Sequence, residues 1–151
     1  MYIDEIFQGL DNKNYPNIKC FEDVTSNDLR TIFIKDITVN SFCEHHLLPM
    51  IGKAYISYIP NKKIIGLSKI NRIVDFFSKK PQLQERLTCQ IAEDISKVLN
   101  TENVAVYTVL DHLCVKIRGI KDYPSKTAVS CFKGAFKNRS DLRSEFLSQI
   151  L

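Results

Sequence analysis

The spacing of the apolar residues changes in pairs along this chain, and that order restricts the fold more than any other feature. Two β-branched segments with strand character come first. Two segments with an apolar residue at every third or fourth position follow, separated by Pro81, and they predict two helices, the first capped by Ser68. The predicted order is strand, strand, helix, helix, strand, strand, helix, over residues 31–39, 50–59, 68–77, 81–99, 103–110, 114–118 and 140–151.

Because strands and helices come in pairs rather than alternating, the order favours an α+β fold over a doubly wound one. The expected architecture is an antiparallel sheet with helices on one face. The 151 residues suit one domain, and 44% hydrophobic with 25% charged residues exclude a disordered or fibrous chain. A chain of this size buries only about two-thirds of its unfolded surface, so further apolar surface is available for an oligomer.

The chain shows no sign of a membrane or secreted protein. No run reaches the roughly 18 apolar residues that a membrane helix needs. The first ten residues carry two acidic and no basic side chains, unlike a secretory signal, so we expect a cytoplasmic protein. The net charge of +4 suits an anionic small molecule as well as nucleic acid and does not decide between them.

Cysteines and histidines cluster in the sequence. An odd count of five cysteines, without a signal peptide, argues against a disulfide framework. All three histidines lie beside cysteines: His45 and His46 follow Cys43, and His112 precedes Cys114 by two residues. A cysteine and a histidine three residues apart on a turn can bind one metal ion, and Cys114 is a candidate third ligand.

Three protein ligands leave one coordination position for water, which is the pattern of catalytic zinc. Two thiolates and one imidazole favour zinc over magnesium or calcium. The alternative is that Cys43 and Cys114 are core thiols and the two adjacent histidines belong to a polar loop, because C-x-x-H alone is not specific. If residues 112 and 113 are also extended, alternation along the strand would place His112 on the same face as Cys114. His112 would then be a proton carrier beside the metal.

Four motifs carry a resemblance to a known family. They read CEHH at 43–46, GLSKINR at 66–72, PQLQERLT at 81–88 and HLCVKIRG at 112–119. In this order they resemble GTP cyclohydrolase I, from about Tyr2 to the C-terminus. The resemblance implies the T-fold, an antiparallel four-stranded sheet with two long helices on one face. It also implies a homo-oligomer, a pentameric barrel or two pentamers face to face, with the sites at subunit interfaces.

The activity implied by the resemblance is hydrolysis of the imidazole ring of GTP. Carbon C8 leaves as formate, and the ribose rearranges to give 7,8-dihydroneopterin triphosphate, a first step of folate, biopterin or 7-deazaguanine synthesis. Zinc would activate the attacking water. By matching position, the implied zinc ligands are Cys43, His46 and Cys114, and the implied acid–base residues are His45 and His112.

The resemblance also assigns the guanine contact to Glu85, with Gln84 beside it. A carboxylate that accepts from the ring N–H and the amino group of guanine makes a charge-assisted, bidentate contact. The alternative for Glu85 is a solvated position on a helix.

Four further residues resemble the triphosphate and ribose contacts: Ser68, Lys69, Arg72 and Arg118. Ser68 at a helix start would add backbone N–H donors for phosphate. The alternatives are a simple helix cap for Ser68, surface charges for Lys69 and Arg72, and a strand end for Arg118.

The sequence departs from the family pattern at its beginning. We expect residues 1–28 to be the end of an N-terminal helical region with a loop, and residues 29–151 to be the catalytic domain. The family has a basic stretch before this point that binds triphosphate, and we expect this chain to bind GTP without it. Losing one phosphate-binding cation would cost about 1.5–3 kcal/mol, which lowers GTP affinity about tenfold to a hundredfold. We also expect a shortened helical region to weaken the contact between pentamers, so the pentamer is a firmer expectation than the decamer.

Three competing interpretations remain. A non-catalytic or substrate-shifted GTP-binding paralogue would keep the fold, but the complete set of metal ligands and both histidines argue against lost turnover. A zinc-stabilised nucleic-acid module would need a fourth ligand and clustered basic and aromatic residues, which are not seen. A QueF-like nitrile reductase shares the T-fold but uses a nucleophilic cysteine without zinc, unlike the CEHH and HLC motifs.

Overall fold

The computed structural model describes residues 1–23 and 30–151, so the expected boundary between residues 28 and 29 lies outside the described residues. Short helical turns occupy the first 14 residues. The strands are β1 (Cys20–Glu22), β2 (Ile32–Cys43), β3 (Pro49–Tyr58), β4 (Lys63–Ile65), β5 (Pro81–Gln82), β6 (Val104–His112) and β7 (Thr127–Phe132). The helices are α1 (Leu67–Ser78), α2 (Gln84–Leu99), α3 (Leu113–Lys116), α4 (Ala135–Asn138) and α5 (Ser140–Ile150).

The main sheet has five strands in the order β5-β2-β3-β6-β7, and a second, two-stranded sheet pairs β1 with β4. Strands β2, β3, β6 and β7 are antiparallel neighbours. The sequence predicts the antiparallel sheet and its first three long strands, but not β7. The two-residue strand β5 adds a parallel edge beside the end of β2. The prediction of four strands therefore misses β5, because Pro81 and Gln82 were expected to begin a helix rather than to pair with Phe42 and Cys43.

Helices α1 and α2 cover one face of the main sheet, where they pack mainly on β2 and β6. Their apolar stripes are fully buried and include Ile70 and Ile73 of α1 and Leu87 and Ile91 of α2. Each such side chain contributes about 1.5–3 kcal/mol on burial, so this layer is the main source of stability. The α+β class with two long helices on one face is confirmed.

The opposite face of the sheet is covered at one end by the C-terminal helix. Phe146 of α5 contacts the rings of Phe33, Phe132 and Phe136 at centroid distances of 5.6, 6.1 and 6.2 Å. The strands supply this cluster with the side chains that alternate with those facing α1 and α2. The sheet is therefore buried on both faces at this end.

The structure corrects two predicted element starts. Helix α1 begins at Leu67 with Gly66 as its N-cap, and the Lys69 N–H donates to the Gly66 carbonyl at 2.8 Å. Ser68 thus lies inside the first turn and is not the cap. Helix α2 begins at Gln84, three residues after Pro81, because pairing with β2 keeps Pro81 extended.

The predicted strand over residues 114–118 is wrong. Residues 113–116 form a helical turn, in which the Ile117 N–H donates to the Leu113 carbonyl at 3.0 Å. Both edges of β6 are already paired, with β3 and β7, so an alternating segment that continues β6 has no new partner beside it. The fourth long strand is β7, whose mixed sequence TAVSCF does not alternate clearly.

Within residues 1–23 and 30–151, none of the helices combines the length and the apolar character that crossing a membrane requires.

Candidate active site

Three potential metal ligands converge where two strands end. Cys43 is the last residue of β2, His46 lies in the turn to β3, and Cys114 lies in α3 directly after β6. Their ligand atoms all lie within 4.8 Å of one another. The Cys43 Sγ atom is 4.0 Å from the His46 Nδ1 atom. This is the only such group of three found among the described residues, 1–23 and 30–151.

The turn after β2 brings Cys43 and His46 together. The Cys43 N–H donates to the Leu48 carbonyl, and the Leu47 N–H donates back to the Cys43 carbonyl, both at 2.8 Å. Leu47 closes the turn in the left-handed region, with φ at 52°. These bonds make the local spacing C-x-x-H sufficient to place both side chains on one side of the turn.

The third ligand arrives through the register of the sheet. Met50 of β3 pairs with His112 of β6, so the end of β6 lies beside the turn that carries His46. Cys114 follows two residues later and reaches the same point. Sequence spacing alone does not contain this register, since 71 positions separate Cys43 from Cys114.

The chemistry of this donor set fits zinc. Burial raises the pKa of the Cys114 thiol, and the neighbouring Cys43 thiol raises it further, whereas the charge of Arg118 lowers it. Without a cation, these causes favour the protonated thiol; a bound divalent cation would favour the thiolate and release the proton. Two sulfur ligands and one imidazole are typical of zinc and leave a fourth position for water.

The start of α2 supports the turn that carries the histidines. The Glu44 N–H donates to the Gln82 carbonyl at 2.9 Å, and the Glu44 carboxylate accepts from Arg86. Arg86 also donates from Nε to the Gln82 side-chain oxygen at 3.0 Å. No role was predicted for Glu44 or Arg86 from the sequence. The available signal was that they lie inside the CEHH and PQLQERLT motifs.

The two predicted acid–base histidines occupy different surroundings. His45 is exposed on the turn, with its Nδ1 atom 3.9 Å from the Cys43 Sγ atom. His112 is half-buried at the end of β6. Burial lowers the pKa of His112, and the charges of Glu85 and Asp111 oppose that shift. The neutral imidazole of His112 is therefore favoured more than that of a free histidine.

The side chain of Gln84 points to His112 inside the protein and not to the surface. Its side-chain oxygen lies 2.7 Å from the His112 Nε2 atom, and only 2% of the residue is exposed. Its amide nitrogen donates to Thr108 and Thr127 inside the protein. The amide is thus not presented to a ligand. The role of Thr108 was missed, although a threonine at an inward position of an apolar strand was a usable signal.

The remaining predicted substrate contacts fall into two groups. Glu85 is exposed in the first turn of α2, and its charge acts on His112; Arg118 is exposed just after α3, and its charge acts on Cys114. Ser68, Lys69 and Arg72 lie in the first half of α1 and are exposed or half-exposed. Within the chain, the charge of Arg118 therefore acts on Cys114 of the Cys–His group, and the charge of Glu85 acts on the neighbouring His112.

Comparison with known proteins gives a consistent result. A family profile described as GTP cyclohydrolase I matches residues 1–151. The GTP cyclohydrolase 1 of Wigglesworthia glossinidia brevipalpis is 55% identical over 99% of this chain and 69% of its own length. Those of Blochmanniella pennsylvanica and Tolumonas auensis are 50% and 49% identical, over 100% and 99% of this chain and 68% of their own lengths.

A solved structure is similar in fold alone. The crystal structure of the archaeosine synthase QueF-Like in the apo form superposes with a TM-score of 0.56 and 16% sequence identity. The match covers 72% of this chain and 97% of that one. This likeness agrees with the T-fold that the sequence predicts, and at this identity it says nothing about activity.

Proposed function

The chain belongs to the GTP cyclohydrolase I family and has that enzyme's activity, and we propose that it acts through a zinc ion held by Cys43, His46 and Cys114. The reaction is the hydrolytic opening of the imidazole ring of GTP, with release of formate and formation of 7,8-dihydroneopterin triphosphate. The observation that carries the metal assignment is the convergence of the three ligand atoms within 4.8 Å.

When bound, zinc would supply a Lewis acid that activates water at neutral pH. The protein's own contribution is to hold two thiol sulfurs and one imidazole on a braced turn. Cys43 is 5% exposed, which keeps solvent away from one side of the group. His46 is exposed on the turn.

His112 and His45 are assigned the proton transfers. Opening the ring requires protons to reach ring nitrogens as the bonds to C8 break, and an imidazole near its pKa both donates and accepts at neutral pH. Burial favours the neutral form of His112, which suits it to accept the proton that the attacking water loses and to pass a proton on to the opening ring. His45, exposed on the turn beside Cys43, is placed to exchange protons with solvent.

Glu85 is assigned to the guanine edge and Arg118 to the phosphate or ribose of the same substrate. The charge of Glu85 raises the pKa of His112, and this proximity supports the assignment of the guanine contact to Glu85. Charge-assisted hydrogen bonds of this kind contribute about 1.5–3 kcal/mol each. Substrate orientation would therefore depend strongly on Glu85.

Ser68, Lys69 and Arg72 are assigned to the triphosphate bound by a neighbouring copy of the chain. They carry donors on an accessible helix, as a site shared between subunits requires. Strand β7 pairs only with β6 within the described residues, so its other edge can pair with another copy, as edge-to-edge assembly into a pentamer requires.

The test is a paired measurement on the purified 151-residue chain. Metal content is determined, and formate and fluorescent pterin are measured after incubation with GTP. About one zinc per chain and equal amounts of formate and pterin are expected. Zinc binding without formate at any GTP concentration would instead indicate a paralogue that binds GTP without turnover. Sedimentation of the same sample separates pentamer from decamer.

A further inference from the structure

We propose that Gln84 is a positioning residue that holds His112 in one tautomer, with the proton on Nε2 and with Nδ1 as the basic nitrogen. The inference deepens the proposed function, because it names which nitrogen of His112 exchanges protons during turnover. Its structural basis is the hydrogen bonding of a buried amide, which is independent of the reaction.

The orientation of the Gln84 amide follows from its partners. One of its two polar ends lies 3.3 Å from the Thr108 carbonyl oxygen and 3.0 Å from the Thr127 carbonyl oxygen. Backbone carbonyl oxygens only accept hydrogen bonds. That end of the amide must therefore be the NH2 group, and the other end must be the oxygen, so the usual ambiguity of glutamine side chains is resolved here.

The amide oxygen then determines the state of the imidazole. The Gln84 Oε1 atom is 2.7 Å from the His112 Nε2 atom, within the range of a hydrogen bond. An amide oxygen cannot donate, so Nε2 must carry the hydrogen. A neutral imidazole has only one N–H, so Nδ1 has the free lone pair.

A chain of buried hydroxyl groups prevents Gln84 from turning away. Thr88 donates to the Gln84 backbone carbonyl at 2.7 Å, and its oxygen lies 2.8 Å from the Thr108 hydroxyl. The Thr108 hydroxyl in turn accepts from the Gln84 amide nitrogen at 3.0 Å. Thr88 and Thr108 are completely buried. Rotating Gln84 would leave several buried polar groups unpaired, which fixes the amide firmly.

This network also separates the positioning role from a substrate contact. The two hydrogens of the Gln84 amide nitrogen are already shared among three acceptors inside the protein, and its oxygen is used by His112. A substrate would have to break these bonds to reach the side chain. Removing the amide should therefore lower kcat rather than raise the KM for GTP.

The decisive measurement is the tautomer of His112 by nitrogen NMR. The chain contains only three histidines, so labelling histidine with ¹⁵N gives few signals, and the His112→Asn variant identifies that of His112. The proposal expects the Nε2–H form of His112 in the wild-type chain. A predominant Nδ1–H form would overturn it, whether or not any variant folds.

Variants then test what the tautomer does. Gln84→Met removes both ends of the amide at similar volume and should give mixed tautomers. It should lower kcat about tenfold to a hundredfold, part of the range that acid–base catalysis supplies, with KM nearly unchanged. Gln84→Glu keeps an acceptor for Nε2–H and should restore the tautomer and part of kcat, although it loses the bonds to Thr108 and Thr127.

Ser96→Ala is the matched control. It removes a buried hydrogen bond near the other end of α2, from the Ser96 hydroxyl to the Thr101 carbonyl at 2.7 Å, outside the network that holds Gln84. It should leave the tautomer and kcat unchanged while lowering thermal stability. An unchanged tautomer and kcat in Gln84→Met, or a raised KM alone, would contradict the proposal. If the wild-type chain released no formate from GTP, the proposed function would fail, and the tautomer measurement would still decide this inference.

Discussion

Among residues 1–23 and 30–151, two pairs of cysteines lie close together, and of these two pairs one has a histidine within reach. Cys43 and Cys114 lie beside His46, whereas Cys89 of α2 lies beside Cys131 of β7. In each pair, burial and then the partner thiol raise the pKa of one cysteine. That cysteine is Cys114 in the first pair and Cys131 in the second, where the pKa rises to about 12. Burial and a neighbouring thiol thus act in the same direction in both pairs, and the pairs differ in the other residues that surround them.

The first pair lies where strands end, and the second lies inside regular elements. Cys131 is paired with Val106 in the β6–β7 ladder, one residue before the end of β7, and Cys89 is in the second turn of α2. Both cysteines are held in hydrogen-bonded regular backbone, unlike His46, which lies in a turn. At the end of β2 the chain reverses, and His46 returns to Cys43. Two thiols become a candidate metal centre only where a turn supplies the third donor.

The largest expected effect separates the two pairs by metal content. Cys114→Ser should reduce zinc from about one per chain to near zero and abolish formate release, because a serine hydroxyl is a poor zinc ligand. Cys131→Ser is the matched control and should keep both. Elemental analysis and a formate assay make the comparison. Full zinc content in Cys114→Ser would refute its assignment as a ligand.

A second test asks whether the residue beside the ligand acts separately from the metal. His112→Ala should retain zinc and lower turnover by about 10²- to 10⁴-fold, the usual contribution of an acid–base group. Metal analysis and single-turnover formation of pterin distinguish the two effects. If product forms at the wild-type rate, His112 has only a structural role.

The exposed face of α2 offers a sharper contrast, because Glu85 and Cys89 are one helical turn apart on it. Glu85→Ala should raise the KM for GTP about tenfold to a hundredfold by removing a charged hydrogen bond. Cys89→Ala should leave KM unchanged. Steady-state kinetics on both variants test this, and equal KM values would remove Glu85 from the guanine contact.

The smallest expected effect concerns stability. Cys131 is half-buried and packs against the main core, whereas Cys89 is exposed. Cys131→Ala should lower the free energy of unfolding by about 1 kcal/mol through lost packing, and Cys89→Ala should change it by less than about 0.5 kcal/mol. Denaturant unfolding measures both. A loss of zinc in either variant would break the contrast between the pairs.

Much of the fold could be predicted because its signals are local. The apolar stripes of α1 and α2 follow the helical period, and the paired order of elements indicates an α+β sheet. The prediction of a strand at 114–118 was wrong, because the alternation of side chains does not reveal whether a sheet edge is free to pair. Strand β5 was also missed, because Pro81 fits the first turn of a helix as well as an extended strand.

The site residues also divide into those that local sequence predicts and those that it does not. The CEHH motif contains its own turn, so Cys43 and His46 could be paired from spacing. Arg86 and Thr108 gave only faint signals, because their partners, Glu44 and Gln84, lie 42 and 24 positions away. The side-chain direction of Gln84 could not be predicted at all, since a residue at a helix start can face either the interior or a ligand.

By itself, the sequence determined the kinds of donor present, the local turn at residues 43–46 and the family to which the chain belongs. Tertiary structure decided that Cys114 reaches this turn, that Gln84 turns inward to His112, and that Cys89 and Cys131 remain a pair without a third ligand. The physical reason is the sequence separation over which each interaction acts. Turns and helical periods depend on neighbours a few positions away, whereas the meeting of distant donors depends on strand register and on which buried polar groups must be paired.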